Sequence, residues 1–172
     1  MRKKIIITGG LGYIGTELCK LYSGVSWHHE IIVIDNRFIS ERVSQLRNWN
    51  IEFIQGDILD KKLIQKYCHD ADVIHHLAGI TQVPRTKSET TKLQDEKIKE
   101  VGTSGTQNIL DVISEKCKII FPSTHVVYEG IDKVKTDIKE NEETKPVLSY
   151  SSSKSVNEKQ LKDSGKNYVI LR

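Results

Sequence analysis

A doubly wound α/β domain, a parallel Rossmann sheet with helices on both faces, is the fold this sequence predicts. Three observations carry the prediction. Short runs rich in isoleucine and valine recur along the 172 residues, amphipathic stretches separate them, and a glycine-rich turn joins the first run to the first of those stretches. Strand candidates that are apolar nearly throughout, without polar alternation, belong to a parallel sheet covered on both faces. Alternation of strand and helix then brings right-handed crossovers and the doubly wound arrangement.

In chain order, "KIIIT" (4–8), "EIIVID" (30–35), "IEFIQ" (51–55), "DVIHHLA" (72–78), "KIIFPS" (118–123) and "NYVILR" (167–172) read as buried strands. Helix candidates lie between them, at 13–23, 60–69, 92–116 and 149–164. Asp60 can cap the second of these, which continues through Leu63, Ile64 and Tyr67 at helical spacing. Two segments stand outside the alternation. Residues 37–50 read as a short helix or a loop. Residues 129–148 form a polar, charged connection of about twenty residues, a length that is often functional; a surface excursion is the alternative.

Composition bounds the function. The length suits one domain, residues 1–172, with a real core, and 37% hydrophobic with 28% charged residues fits a soluble globular protein. No apolar run approaches the roughly 20 residues that span a bilayer. Three isoleucines after "MRKK" are too few for a signal peptide. Cys19, Cys68 and Cys117 are widely spaced with no C-x-x-C pair, so neither a disulfide framework nor a zinc site is indicated, and reduced thiols in the cytoplasm are the simpler reading. The net charge of +3 is spread along the chain, and the clusters "RKK" and "KDSGK" fall far short of a nucleic-acid footprint. No metal, nucleic-acid or membrane partner is expected. His75 and His76 adjoin in a strand, face opposite sides and cannot jointly hold one metal. His28 and His29 read as surface residues, Trp27 and Trp49 as packing residues.

"TGGLGYIG" leaves the first strand and opens the first helix. Gly9 can make the tight turn, Gly12 lets the backbone approach a ligand, and Gly15 lets helix and sheet pack closely. Amides at that helix N-terminus then face a pyrophosphate. Asp35 ends the second strand about twenty residues on, where a carboxylate accepts hydrogen bonds from the ribose hydroxyls of an adenine dinucleotide. Its charge repels a 2′-phosphate, which favours NAD over NADP; Arg37, two residues on, partly offsets that repulsion.

With those motifs in place the whole chain resembles the extended short-chain dehydrogenase/reductases, the NAD-dependent nucleotide-sugar epimerase and dehydratase family. "TGGLGYIG" resembles the family's cofactor turn, "DN" (35–36) its second strand end, "GDILD" (56–60) its adenine-side segment and "HLAG" (76–79) its H-L-A-A. "GTQNIL" (105–110) is similar to the G-T-x-N-L-L of its long helix, "PSTHVVY" to its S-S/T-x-x-x-Y strand end, and "YSSSK" (150–154) to its Y-x-x-x-K. The resemblance implies that a dinucleotide lies against Gly9, Gly12, Tyr13, Ile14 and Gly15, against Asp35 and Asn36, against Asp57 and Ile58, against Leu77, Ala78 and Gly79, and against Tyr150 and Lys154. It implies a nucleotide-sugar substrate. Gly102 departs from the family's asparagine, which removes one helix-side structural contact. His125 and Val126 stand where family dehydratases carry acidic residues, which leans the reading away from a 4,6-dehydratase and towards an epimerase or reductase. A non-catalytic dinucleotide-sensing module is the alternative of another class.

The spacing of Tyr150 and Lys154 answers a physical need. A phenol with a pKa near ~10 is a poor base at neutral pH, whereas a nearby cation and a helix's first turn favour the phenolate. The two residues lie one turn apart on one face. By the resemblance, Tyr150 takes the proton of a sugar hydroxyl as hydride passes to NAD. Lys154 lowers the Tyr150 pKa and holds the nicotinamide ribose, and Thr124 hydrogen-bonds the reacting oxygen. Relatives continue into a smaller lobe that holds the nucleotide-sugar, whereas this sequence stops as its sixth strand ends. The expectation is a cofactor domain whose substrate lobe is absent from this chain. A homodimer through the long helices is a candidate assembly.

Overall fold

The structure, a computed structural model, describes residues 1–81, 91–132 and 135–172. Six parallel strands form one sheet: β1 (Lys4–Thr8), β2 (Glu30–Asp35), β3 (Glu52–Gln55), β4 (Val73–His76), β5 (Lys118–Pro122) and β6 (Asn167–Leu171). Their spatial order is β3-β2-β1-β4-β5-β6. Among the described residues, five α-helices connect them: α1 (Tyr13–Ser23), α2 (Ser40–Asn48), α3 (Lys61–Cys68), α4 (Lys92–Val112) and α5 (Ser149–Asp163). The strand order reverses between β1 and β4, and ligands of open α/β sheets bind beyond the carboxyl ends of the strands at such a switch point.

Strands β1 and β2 have no polar face because each serves two cores. Strands β3 and β6, expected as buried strands, lie at the two edges of the sheet, where one side has no neighbouring strand to cover it, and contain no buried residue. Ile6 of β1, with Ile32, Ile34, Ile74, Ile119 and Phe121, packs against Ile64, Ile109 and Leu161 of α3, α4 and α5. Ile5 and Ile7, with Ile31 and Val33, pack on the other side against Cys19, Val43 and Leu46 of α1 and α2. Period-two geometry thus converts a continuous apolar run into two buried faces.

The expected strands and helices form, with shifts at the ends. Residues 37–50 resolve into α2. Asp60 caps α3, accepting from the amides of Lys62 and Leu63 at 3.0 and 3.1 Å. Helix α4 stops at Val112 rather than 116, because Ile113 turns extended (ψ 148°) and is buried in the core. Trp49 packs on the α1–α2 side. Trp27, expected to pack, is 75% exposed. Gly102 leaves room for a neighbour: a Cβ there would lie 2.0 Å from Ser153 Oγ of α5, and its carbonyl accepts from Asn157 at 3.0 Å. Among the described residues no helix is long and apolar enough to cross a membrane.

Candidate active site

The site is built on the carboxyl ends of β1, β4 and β5. Gly9 leaves β1 at φ +69° and donates its N–H to Ile34 O at 2.7 Å. A Cβ on it would come within 2.7 Å of the Ala78 backbone, so this turn and the Leu77–Ala78 strand end lie in van der Waals contact only because residue 9 is glycine. Gly12 precedes α1 without a side-chain cap, which leaves the helix's N-terminal dipole facing outward. Gly15 sits on Gly10, where a Cβ would be 2.6 Å from Gly10 Cα. Tyr13 and Ile14, in that first turn, are 83% and 60% exposed.

Asp35 has a role inside the chain. Its carboxylate, 3% exposed, accepts from the Leu11 amide at 3.0 Å and so holds the glycine turn against β2. It also accepts the Arg37 amide at 3.0 Å and the Arg37 guanidinium at 3.2 and 3.4 Å. Arg37 therefore lies over the carboxylate that a ribose would address. Asn36 donates to Asp57 at 3.1 Å, tying the ends of β2 and β3. Ile58 turns its side chain into the core, and its carbonyl accepts from Asn108 of α4 at 3.0 Å. Leu77 and Ala78 hang from Thr8 through N–H bonds of 3.1 and 3.3 Å, and Gly79 is exposed.

His76, 1% exposed, spans Thr8 and Thr106 with bonds of 2.9 and 3.0 Å. Burial, with the Lys154 charge second, pushes its pKa down to about 3, so it is neutral. His75 points the other way, to the Tyr22 hydroxyl at 2.8 Å. His28 is exposed, and His29 accepts the Lys3 amide at 3.2 Å.

Thr124 ends β5 and caps a short 3-10 helix (His125–Tyr128), accepting from Val126 N at 3.2 Å. Tyr150 occupies the first turn of α5 and Lys154 the next. Lys154 Nζ donates to Pro122 O at 2.9 Å, lies 4.4 Å from the Phe121 ring centroid and 6.0 Å from that of Tyr150. Burial pushes the Lys154 pKa down to about 8. Burial also raises the Tyr150 phenol above its ordinary value. The lysine does not offset that rise, against the sequence expectation: its ammonium donates to Pro122 O at the end of β5.

The connection 129–148 has no helix or strand among its described residues. It folds back on the 3-10 helix through Lys145 N to Val127 O (2.8 Å) and Gly130 N to Lys145 O (2.9 Å). An open cavity of about 510 Å³ lies between them, lined by His125, Val126, Tyr128, Ile138, Lys139 and Arg172 among others. Sequence reasoning missed the anchor below it. Glu158, 3% exposed, accepts from Arg172 at 3.0 and 2.6 Å and from Ser123 at 2.5 Å. Its position four residues after Lys154 was the available signal. Burial alone would raise the Glu158 carboxyl, but the Arg172 and Ser123 hydrogen bonds outweigh it and hold the pKa below the ordinary 4.5. A depressed carboxyl stabilises the fold above its unfolded pKa and loses that contribution as pH falls through the folded value. Acid titration by circular dichroism is expected to show Glu158→Gln with a flatter stability loss below pH 4.5 than the parent; an unchanged slope removes Glu158 from the acid response.

The model of the 3-beta hydroxysteroid dehydrogenase/isomerase family matches residues 6–169. UDP-N-acetyl-alpha-D-glucosaminuronate decarboxylase of Bacillus cytotoxicus is 34% identical over 130 residues, 74% of this chain and 38% of its own. UDP-glucose 4-epimerase of Neisseria meningitidis serogroup C is 30% identical over 174 residues, 94% of this chain and 48% of its own. The chain thus spans half or less of the length of these curated relatives. Among solved structures, UDP-glucose 4-epimerase from Brucella ovis in complex with NAD superposes with a TM-score of 0.77 at 26% identity, covering 99% of this chain and 51% of that one.

Proposed function

The chain belongs to the 3-beta hydroxysteroid dehydrogenase/isomerase family, within the extended short-chain dehydrogenase/reductases, and from that premise we propose that it is the cofactor domain of an NAD-dependent nucleotide-sugar epimerase or related reductase. Tyr150 is the base, Lys154 holds the nicotinamide ribose, and Thr124 hydrogen-bonds the reacting oxygen. The observation that carries this reading is the meeting of α5 with the end of β5. Lys154 bonds Pro122 O at the carboxyl end of β5, two residues before Thr124, and only β4 separates this strand from the glycine turn after β1. The cradle suits a dinucleotide: the Gly9 turn has no room for a side chain, and the N-terminus of α1 is uncapped. NAD, held here, would supply the hydride acceptor for the sugar carbon, and Tyr150 takes the hydroxyl proton. The relatives support a nucleotide-sugar as substrate. His125 and Val126 supply no acid, which speaks against a dehydratase, and retention of both Tyr150 and Lys154 speaks against a sensing module. Three free, buried cysteines support a cytoplasmic setting. Leu93 of α4 and Val156 of α5, both exposed, support the homodimer through the long helices.

Titration calorimetry with both dinucleotides tests the cofactor. NAD is expected to bind more tightly than NADP, because a 2′-phosphate would approach the Asp35 carboxylate. Arg37→Ala is expected to widen the preference, since it removes the guanidinium that shields that charge. Tighter binding of NADP by the parent protein would overturn the assignment. Initial rates with UDP-, GDP- and dTDP-sugars in the full-length protein test the substrate class.

A further inference from the structure

We propose that Glu129 is the positioning residue of the candidate site, capping α5 from outside and so setting Tyr150 against Thr124. The inference rests on the reading of Tyr150 as base. Helix α5 has no cap of its own: Leu148 stands at the N-cap, and no side chain there receives a bond. Glu129 supplies one from the far end of the 3-10 helix. Its Oε1 accepts the amides of Val147 and Leu148 at 2.6 and 2.7 Å, and the Ser151 hydroxyl also meets this carboxylate. Ser151 is fully buried, so the contact pins the helix's first turn, in which Tyr150 is the preceding residue.

The same carboxylate joins two pieces of backbone that each carry one reacting group. Thr124 opens the 3-10 helix, and Glu129 directly follows that helix. Backbone bonds between 127–130 and 145 zip the two segments together just before the helix starts. A carboxylate is favourable at this point because it faces the positive end of α5. Without it, Val147 and Leu148 lose their acceptor and the Tyr150 turn frays. The distance from phenol to Thr124 is then no longer fixed, and misplacement by ~1 Å can lower a rate about a hundredfold.

Hydrogen exchange and 13C-tyrosine NMR on the protein test the proposal, with the Tyr150 resonance assigned from its loss in Tyr150→Phe. In Glu129→Ala, exchange of the Val147 and Leu148 amides is expected to rise roughly tenfold or more, as loss of a helix cap allows. The Tyr150 titration is expected to move down towards its ordinary value, because the raised phenol is a consequence of burial. Glu129→Gln keeps an oxygen for the amides and is expected to restore most of both signals. In the full-length protein, Glu129→Ala is expected to lower kcat far more than it raises KM for the sugar nucleotide. Unchanged exchange at 147–148 and an unmoved Tyr150 titration would overturn the role, and so would an equal loss of protection in β1, which would mean global loosening. Neither spectroscopic readout needs turnover. Released amides in Glu129→Ala beside full activity of Tyr150→Phe would leave the positioning intact and sink the base assignment alone.

Discussion

Tyr150→Phe is expected to lower sugar-nucleotide turnover by the full-length protein about 10²–10⁴-fold, the range for a removed general base. NAD binding should stay close to that of the parent, because the ring still fills its place in the first turn of α5. In the proposed reaction the phenol is the group whose state must change. Burial holds it neutral, above its ordinary pKa, and the Lys154 ammonium is 6.0 Å from its ring centroid, bonded to Pro122 O. A phenol so placed takes a proton only as phenolate, which forms once its surroundings turn more positive, and without the hydroxyl no such acceptor can form. Initial rates with calorimetric NAD affinities check both halves. Undiminished turnover would remove Tyr150 from the chemistry.

Lys154→Met is expected to stabilise the fold at neutral pH while lowering turnover and NAD affinity together. Burial shifts the Lys154 pKa from 10.5 to about 8. The unfolded chain therefore binds more protons between those values, and the parent's stability rises with pH across that window. Below about pH 8 the folded state carries the full penalty of a charged, desolvated amine, on the order of 1–3 kcal/mol. A methionine of similar length has no charge to desolvate, so the Tm at pH 7 should rise by several degrees. The variant should also lose the stability rise between pH 8 and 10.5. In the proposed reading the penalty is tolerated because the ammonium would meet the nicotinamide ribose. Denaturant melts across pH with both proteins check the sign. Equal stability at pH 7 with an unchanged pH slope would show that Lys154 is not the strained group.

Much of this molecule is legible in its residues, for reasons of range. "KIIIT" and "EIIVID" become β1 and β2 at the expected bounds, because a run apolar on both sides suits a strand covered on both faces; that "NYVIL" becomes an exposed edge strand was not legible in its own residues. Gly9 must be glycine for a turn at φ +69°, and Asp60 caps α3 from one residue away. Nothing beyond the neighbouring turn is needed to anticipate these. The order of motifs from the glycine turn to "YSSSK" likewise identifies the family from the chain alone.

Contacts between distant segments were decided only by the fold. That Asp35 holds Leu11, that Glu158 anchors Arg172 and Ser123, and that Glu129 caps α5 all join residues brought together by packing. So does the burial that moves Lys154 down and Tyr150 up. Local sequence specifies backbone propensity and which faces are apolar. The desolvation and the partner of a charged group depend on what the sheet's crossovers set against it, and those neighbours come from elements tens of residues away.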